Sequence, residues 1–285
     1  MRIIVGYGPV QREGGRFAGF GNSICSIRAD RRLNAILHLT GLAPLTFAGA
    51  AAMTFGAAFV RGLTGFGMAI ILVPLLGLIM PPGEAVVLGI LLQLLIGPVG
   101  FGRIAASAER RTAVPIGLLA MLATPLGMLA LKAVTPDVAR LLIAIIAIAA
   151  FLLILMPQHP DGHRPGRAAI GFTGIASGIL TGFAAMPGPP VVPFYLRQRI
   201  TPDVARASMM LVFFATAIAG TLASLWLGLA TMKLFILSLL LFVPMALGDH
   251  VGTRLFGRVP VPVWRGIVAV VLGVAGLSAL LRLLN

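Results

Sequence analysis

The sequence predicts an all-α, polytopic membrane protein with about eight transmembrane helices, arranged as two repeated four-helix halves with broken signature helices. Three observations carry this. Of the 285 residues 59% are hydrophobic and only 11% charged, with a mean hydropathy of +1.03; a soluble domain of this size needs far more charge to cover its surface. The apolar runs are long and follow one another, which excludes one anchor on a soluble domain. They also lack the apolar–polar alternation of a transmembrane β-barrel.

Residues 1–41 hold Arg2, Arg12, Arg16, Arg28, Arg31 and Arg32, with no apolar h-region of the usual length behind them. They read as a basic, mobile extension rather than a signal peptide; a translation start at an internal methionine such as Met53 is the alternative. The first half, 42–156, begins with an apolar region over 42–80, about twice one span at a rise of ~1.5 Å per residue. Arg61, Gly62, Gly65, Gly67 and Pro74 interrupt it, and Pro81, Pro82 and Gly83 end it. A helix over 84–101 follows, then a polar loop with Arg103, Glu109, Arg110 and Arg111, then a helix over 112–131 kinked at Pro125. Thr135-Pro136-Asp137 supplies an N-cap, a proline at N1 and an acid in the first turn, and so starts a helix that ends near 156.

The polar loop 157–167 divides the chain. The second half, 168–285, comprises a broken segment over 168–196 and helices over 204–227, 232–247 and 264–284, with Thr201-Pro202-Asp203 repeating the helix-start signal. Tyr195, Trp226 and Trp264 fall near segment ends, where an aromatic belt would put them. Asp249, His250, Arg254 and Arg258 form the last polar connection.

The formal charge is +14, and most of the basic residues beyond the extension lie between apolar segments. Orientation by the positive-inside rule explains them without a nucleic-acid partner. A lone cysteine, Cys25, excludes an intrachain disulfide, and the four histidines, His38, His159, His163 and His250, are scattered, so neither a metal site nor a cofactor is expected. There is no Ser/His pairing near a break, no His-Glu metal motif and no paired intramembrane carboxylates; an enzyme is not expected.

Function is sought where helices cannot continue. Within 178–196, Pro187, Gly188, Pro189, Pro190 and Pro193 make an uninterrupted helix implausible, and 62–75 is a weaker cousin. The halves match in order: Thr64-Gly65-Phe66 with Thr181-Gly182-Phe183, Val73-Pro74 with Val192-Pro193, and Pro82 with Pro202. Duplicated, interrupted helices point to a transporter site at the repeat interface. A single crossing by each broken segment gives eight spans and parallel repeats, and is preferred because 168–196 is short for two full crossings. Hairpins would give ten spans and inverted repeats, with Arg197, Arg199, Arg254 and Arg258 on the cytoplasmic side but the basic amino terminus outside.

A helix restarting at Pro189 or Pro190 leaves first-turn amides without acceptors and aims a positive dipole end at the break, which suits an oxyanion. The expected donors are Gly188, Val191 and Val192, with hydroxyls from Thr64 and Thr181 and bare backbone at Gly65, Gly67 and Gly182. Close helix packing by the glycines, and threonines closed on their own helix, are the competing reading. Arg61 either attracts the anion or snorkels to the interface, and Gln93 is either a pore-facing hydrogen bonder or an interhelical tie. Asp249 and His250 are candidates for a proton relay, against a solvated helix end. The partners expected are the lipid bilayer and a small anion; proton coupling and a homo-oligomer are left open.

Thr64-Gly65-Phe66-Gly67 with Val73-Pro74, and Gly182-Phe183 with Met186-Pro187-Gly188-Pro189-Pro190 and Tyr195-Leu196, resemble the paired signatures of the TauE/SafE sulfite exporter family. The likeness covers roughly residues 45–284. It departs at Met68-Ala69 and at Ala184-Ala185, where the family often carries a run of glycines. The resemblance implies a multi-pass secondary transporter of the bacterial inner membrane that carries sulfite, sulfonates or similar organic anions. An anion channel lined by the same breaks is the alternative.

Overall fold

The computed structural model of the chain describes residues 42–64, 67–98, 102, 106–155 and 165–255. The expected extension over 1–41, most of the 157–167 loop, the expected 264–284 helix and Gly65 lie outside the described residues. The described residues form α1 (Pro44–Thr64), α2 (Met68–Ile79), α3 (Pro82–Ile96), α4 (Arg110–Ala133) and α5 (Pro136–Leu155), then α6 (Arg167–Ala184), α7 (Gly188–Leu196), α8 (Pro202–Trp226) and α9 (Met232–Arg254).

The start signals in the sequence explain these bounds. Pro82 and Pro202 occupy the first position of α3 and α8, where a missing amide proton costs nothing. Thr201 and Thr231 accept from the amides of Val204 and Leu234, and Glu109 accepts from Thr112 at the head of α4. Pro115 and Pro125 sit within α4 without ending it.

Six of these helices, α1, α4, α5, α6, α8 and α9, are long and apolar enough to cross a membrane, while α2 and α3 are shorter. Leu118, Leu122 and Leu126 of α4 and Leu239, Val243 and Leu247 of α9 form exposed apolar stripes, as expected of helices facing lipid. Trp226 is exposed at the end of α8, but Tyr195 is fully buried, so Tyr195 is no belt residue; its hydroxyl lies 3.2 Å from Thr112 Oγ1. Nor is the stretch at 249–254 a polar connection: α9 continues to Arg254, and the Asp249 carboxylate is paired within the bundle.

The broken segments do not cross once as units. With 18 residues, α6 spans about 27 Å by itself. Ala185 then takes the left-handed conformation at φ 57°, with its amide bonded to Thr181 O, a left-handed helix stop, and that of Met186 bonded to Leu180 O. The chain doubles back: Ser177 Oγ donates to Pro187 O at 3.1 Å, and α7 carries Tyr195 to Thr112 at the head of α4. Because Gly174, Gly178 and Gly182 of α6 lie against Ile116, Ala120 and Thr124 in order, α4 and α6 run parallel, and α7 returns to the end where α6 began.

The first half also carries a break, between α1 and α2. Its α2 ends at a carbonyl, Gly77 O, that accepts from Arg140 Nε at the head of α5, and Val73 lies beside Gly89 of α3. The ends at Thr64 and Ala184, and the starts at Met68 and Gly188 and at Pro82 and Pro202, are each separated by one constant interval in sequence. This interval sets Gly62 opposite Gly182.

The two halves exchange partners. Gly62, Gly248 and Gly252 let α1 and α9 meet backbone to backbone, just as Gly127, Gly174, Gly178 and Gly182 do for α4 and α6. A Cβ on Gly182 would lie 2.1 Å from Thr124 O, and one on Gly248 2.3 Å from Phe55 O. Small residues with such close approach are how helices associate in lipid, where no hydrophobic force joins them. Thr124 and Thr181 donate to Ala120 O and Ser177 O four residues back, so both hydroxyls are satisfied within their own helices.

Gly182→Ala is therefore expected to destabilise the protein by at least about 2 kcal/mol through overpacking. Gly56→Ala in α1, where a Cβ would meet nothing within 4 Å, is expected to be neutral or stabilising by up to about 1 kcal/mol. Thermal unfolding of both variants in detergent checks the contrast.

Candidate anion site at the two helix breaks

The two breaks open onto one cavity. Gly67, Met68, Ala69 and Ile70 from the start of α2 line it opposite Pro187 and Gly188 at the start of α7. Arg61 from the last turn of α1 and Gln93 from α3 border the same space. Met186, Met210, Phe213 and Phe214 make up much of the apolar wall. The volume is about 60 Å³. Since one water needs roughly 10–15 Å³ of such space, the cavity holds about four to six waters, or one small oxyanion.

Besides Arg61 and Gln93, its polarity comes from backbone. Gly67 caps α2 at φ 91°, a conformation that costs an L-residue about 1–2 kcal/mol, and so permits the chain to turn into the helix. The amides of Met68, Ala69 and Ile70 then stand in the first turn, where no intrahelical acceptor exists. At α7 the corresponding turn reads Gly188-Pro189-Pro190, and proline has no amide proton, so Gly188 is the first-turn donor there. Two helix starts facing one small space sum their positive dipole ends. The first break, weaker as a sequence motif, is the richer in donors.

The structure sorts the residues selected from sequence. Arg61, Gly67, Gln93 and Gly188 are brought together at the cavity. Gly182 lies in the α4–α6 seam, Thr181 donates to its own helix, and Val191 and Val192 are buried in the core beside Ala113 and Ile116. The last two lie beyond the first turn because α7 starts at Gly188, earlier than Pro189 or Pro190. Thr64 ends α1.

Gln93 works as a tie as well as a wall: its Nε2 donates to Ala185 O at 2.9 Å and to Gly89 O at 3.3 Å, fixing the second break to α3. Arg61 does not snorkel; its Nη1 donates to Asp249 Oδ1 at 2.6 Å, joining α1 to α9, with side-chain exposures of 15% and 21%. His250 is exposed, one helical step of ~100° from Asp249, so the two do not form a facing pair. Among the described residues no cluster of three His, Cys, Asp or Glu side chains has the geometry to hold a metal.

Sequence reasoning missed Met68, Ala69 and Ile70, whose signal was Gly67 standing directly before an apolar run. It also missed Met210, Phe213 and Phe214, which lie on an ordinary helix and carry no local signal.

Gly67→Ala is expected to lose about 1–2 kcal/mol because of its positive φ. Gly188→Ala, whose Cβ would meet nothing nearer than 3.8 Å, is expected to keep wild-type stability in the same detergent melt.

The model of the family described as Sulfite exporter TauE/SafE matches residues 21–279. A curated relative, the probable sulfite/organosulfonate exporter TauE of Cupriavidus necator, is 29% identical over 89 residues, covering 31% of this chain and 35% of the relative. That alignment thus spans about a third of the relative's length. No solved structure matches the chain. The family is one of transporters rather than enzymes, and its model covers nearly all of this sequence: the chain belongs to the TauE/SafE sulfite exporter family.

Proposed function

We propose that the chain is a secondary transporter of small sulfur-containing or organic anions, such as sulfite or sulfonates, bound where the two half-helix starts converge. The observation that carries this is the cavity bordered at once by the heads of α2 and α7 and by Arg61. Partial positive charge at helix starts, reinforced by a guanidinium, favours an oxyanion over a cation or a neutral solute. The printed name of the C. necator relative gives the same chemical class.

The arrangement of the halves supports alternating access. α3 runs antiparallel to α8, its counterpart at the constant interval, with Gly97 beside Phe214 and Gly220 beside Ile90, which supports reading the two halves as inverted repeats. Inverted halves with a site between their broken helices are the pattern of secondary transporters. An anion channel lined by the same breaks is the second reading; the small volume of the cavity favours a binding pocket over an open pore.

Exposed Arg110, Arg111, Arg167, Arg197, Arg199 and Arg254 gather at the end where α4, α6 and α8 begin and α9 ends. By the positive-inside rule that end is cytoplasmic in a bacterial inner membrane. The hairpin topology of inverted repeats replaces the eight-span arrangement in this reading.

In proteoliposomes, sulfite or methanesulfonate flux is expected to be saturable and counterion-dependent, and to fall at least tenfold in Arg61→Gln. Non-saturable conductance would favour the channel. Stabilisation of the purified protein by cations or neutral solutes but by no anion would overturn both readings.

A further inference from the structure

The Arg61–Asp249 pair is not needed to hold its seam. Gly62 sits against Asp249, Gly252 and Thr253, just as Gly182 sits against Thr124, Gly127 and Met128. In this register Arg61 and Asp249 occupy the places that Thr181 and Thr124 occupy in the other seam, and those threonines close on their own helices. One seam packs with neutral residues; the other carries a charge pair at the edge of the cavity.

The contact joins one guanidinium nitrogen to one carboxylate oxygen, leaving other donors of the Arg61 fork to face elsewhere. Around the pair stand Arg206 of α8, which interacts electrostatically with both members and with Asp203, and His250 and Arg254 on α9 itself. From α3, Glu84 pairs with Lys233 at the opposite end of α9. An anion entering this space adds a negative charge in a region of low dielectric, where uncompensated charge is costly. Arginine cannot give up its proton at any working pH, so Asp249 is the member that can adjust.

We propose that Asp249 is an exchangeable counter-ion. Building on the reading of the cavity as an anion site, the incoming anion takes over Arg61, and the released Asp249 carboxylate binds one proton from the aqueous side. Anion and proton therefore bind together, and the charge at the site is conserved. When the anion leaves, the proton is released and the Arg61–Asp249 pair re-forms.

Calorimetric titration of the purified protein with methanesulfonate tests this, because a sulfonate stays a monoanion across the pH range used. Repeating it in buffers of different ionisation enthalpy counts the protons taken up. The wild type is expected to take up close to one proton per anion, with affinity rising by up to about tenfold for each pH unit of acidification, as linkage to one proton requires. Asp249→Asn is expected to bind with no proton uptake and no pH dependence between about pH 5 and 8. The double variant Arg61→Thr, Asp249→Thr, which copies the neutral seam, is expected to fold and to bind at least tenfold more weakly. Wild-type binding without proton uptake, or undiminished uptake in Asp249→Asn, would overturn the exchange while leaving the anion site standing. Absence of any wild-type binding would overturn the site itself.

Discussion

A backbone amide with no acceptor is tolerated inside a bilayer only where protein or a polar cavity surrounds it, and this chain starts two helices within its apolar bundle. That constraint accounts for much of the remaining architecture. The starts of α2 and α7 are enclosed by α1, α3 and α8, and they share one cavity. Glycine at position 67 and a left-handed Ala185 let the chain leave α1 and α6 and reverse. Gln93 and Ser177 bind the carbonyls that the second reversal would otherwise strand.

Such breaks need a rigid frame, and the frame is built from contact distance. The α1–α9 and α4–α6 seams bring backbones so close that seven positions admit only glycine without displacement of a neighbouring backbone or side chain. Each seam joins one half of the chain to the other, so neither half is an independent domain. The broken helices hang between two clamped pairs. A transporter that moves one part against another needs this division into stiff pairs and short, strained connections.

Much of the fold was legible in the sequence because it depends on local chemistry. Proline at the first helical position, a threonine cap and apolar length located α8 within a few residues, and the starts of α3 and α9 as well, whereas α9 runs seven residues beyond its expected end. The breaks were legible from Pro187-Gly188-Pro189-Pro190 and from the glycines around Gly67. Direction was not: the length of 168–196 fits one full crossing, and only the Ser177–Pro187 and Tyr195–Thr112 contacts reveal the return. The shared Thr-Gly-Phe triplets offer a local match three residues out of step with the interval that the helix bounds of the two halves keep. Arg61 and Asp249, 188 residues apart, could not be paired from sequence, and an aspartate near a segment end looks like a loop residue until its partner is seen.

The account rests on an anion occupying the space between the heads of α2 and α7. Anomalous diffraction from crystals soaked in selenate, an oxyanion whose selenium can be located directly, tests this most closely. The account predicts a selenium peak within hydrogen-bonding reach of the Met68–Ile70 amides, Gly188 and Arg61. A peak confined to the exposed arginines at the end of the bundle, with none in the cavity, would contradict it.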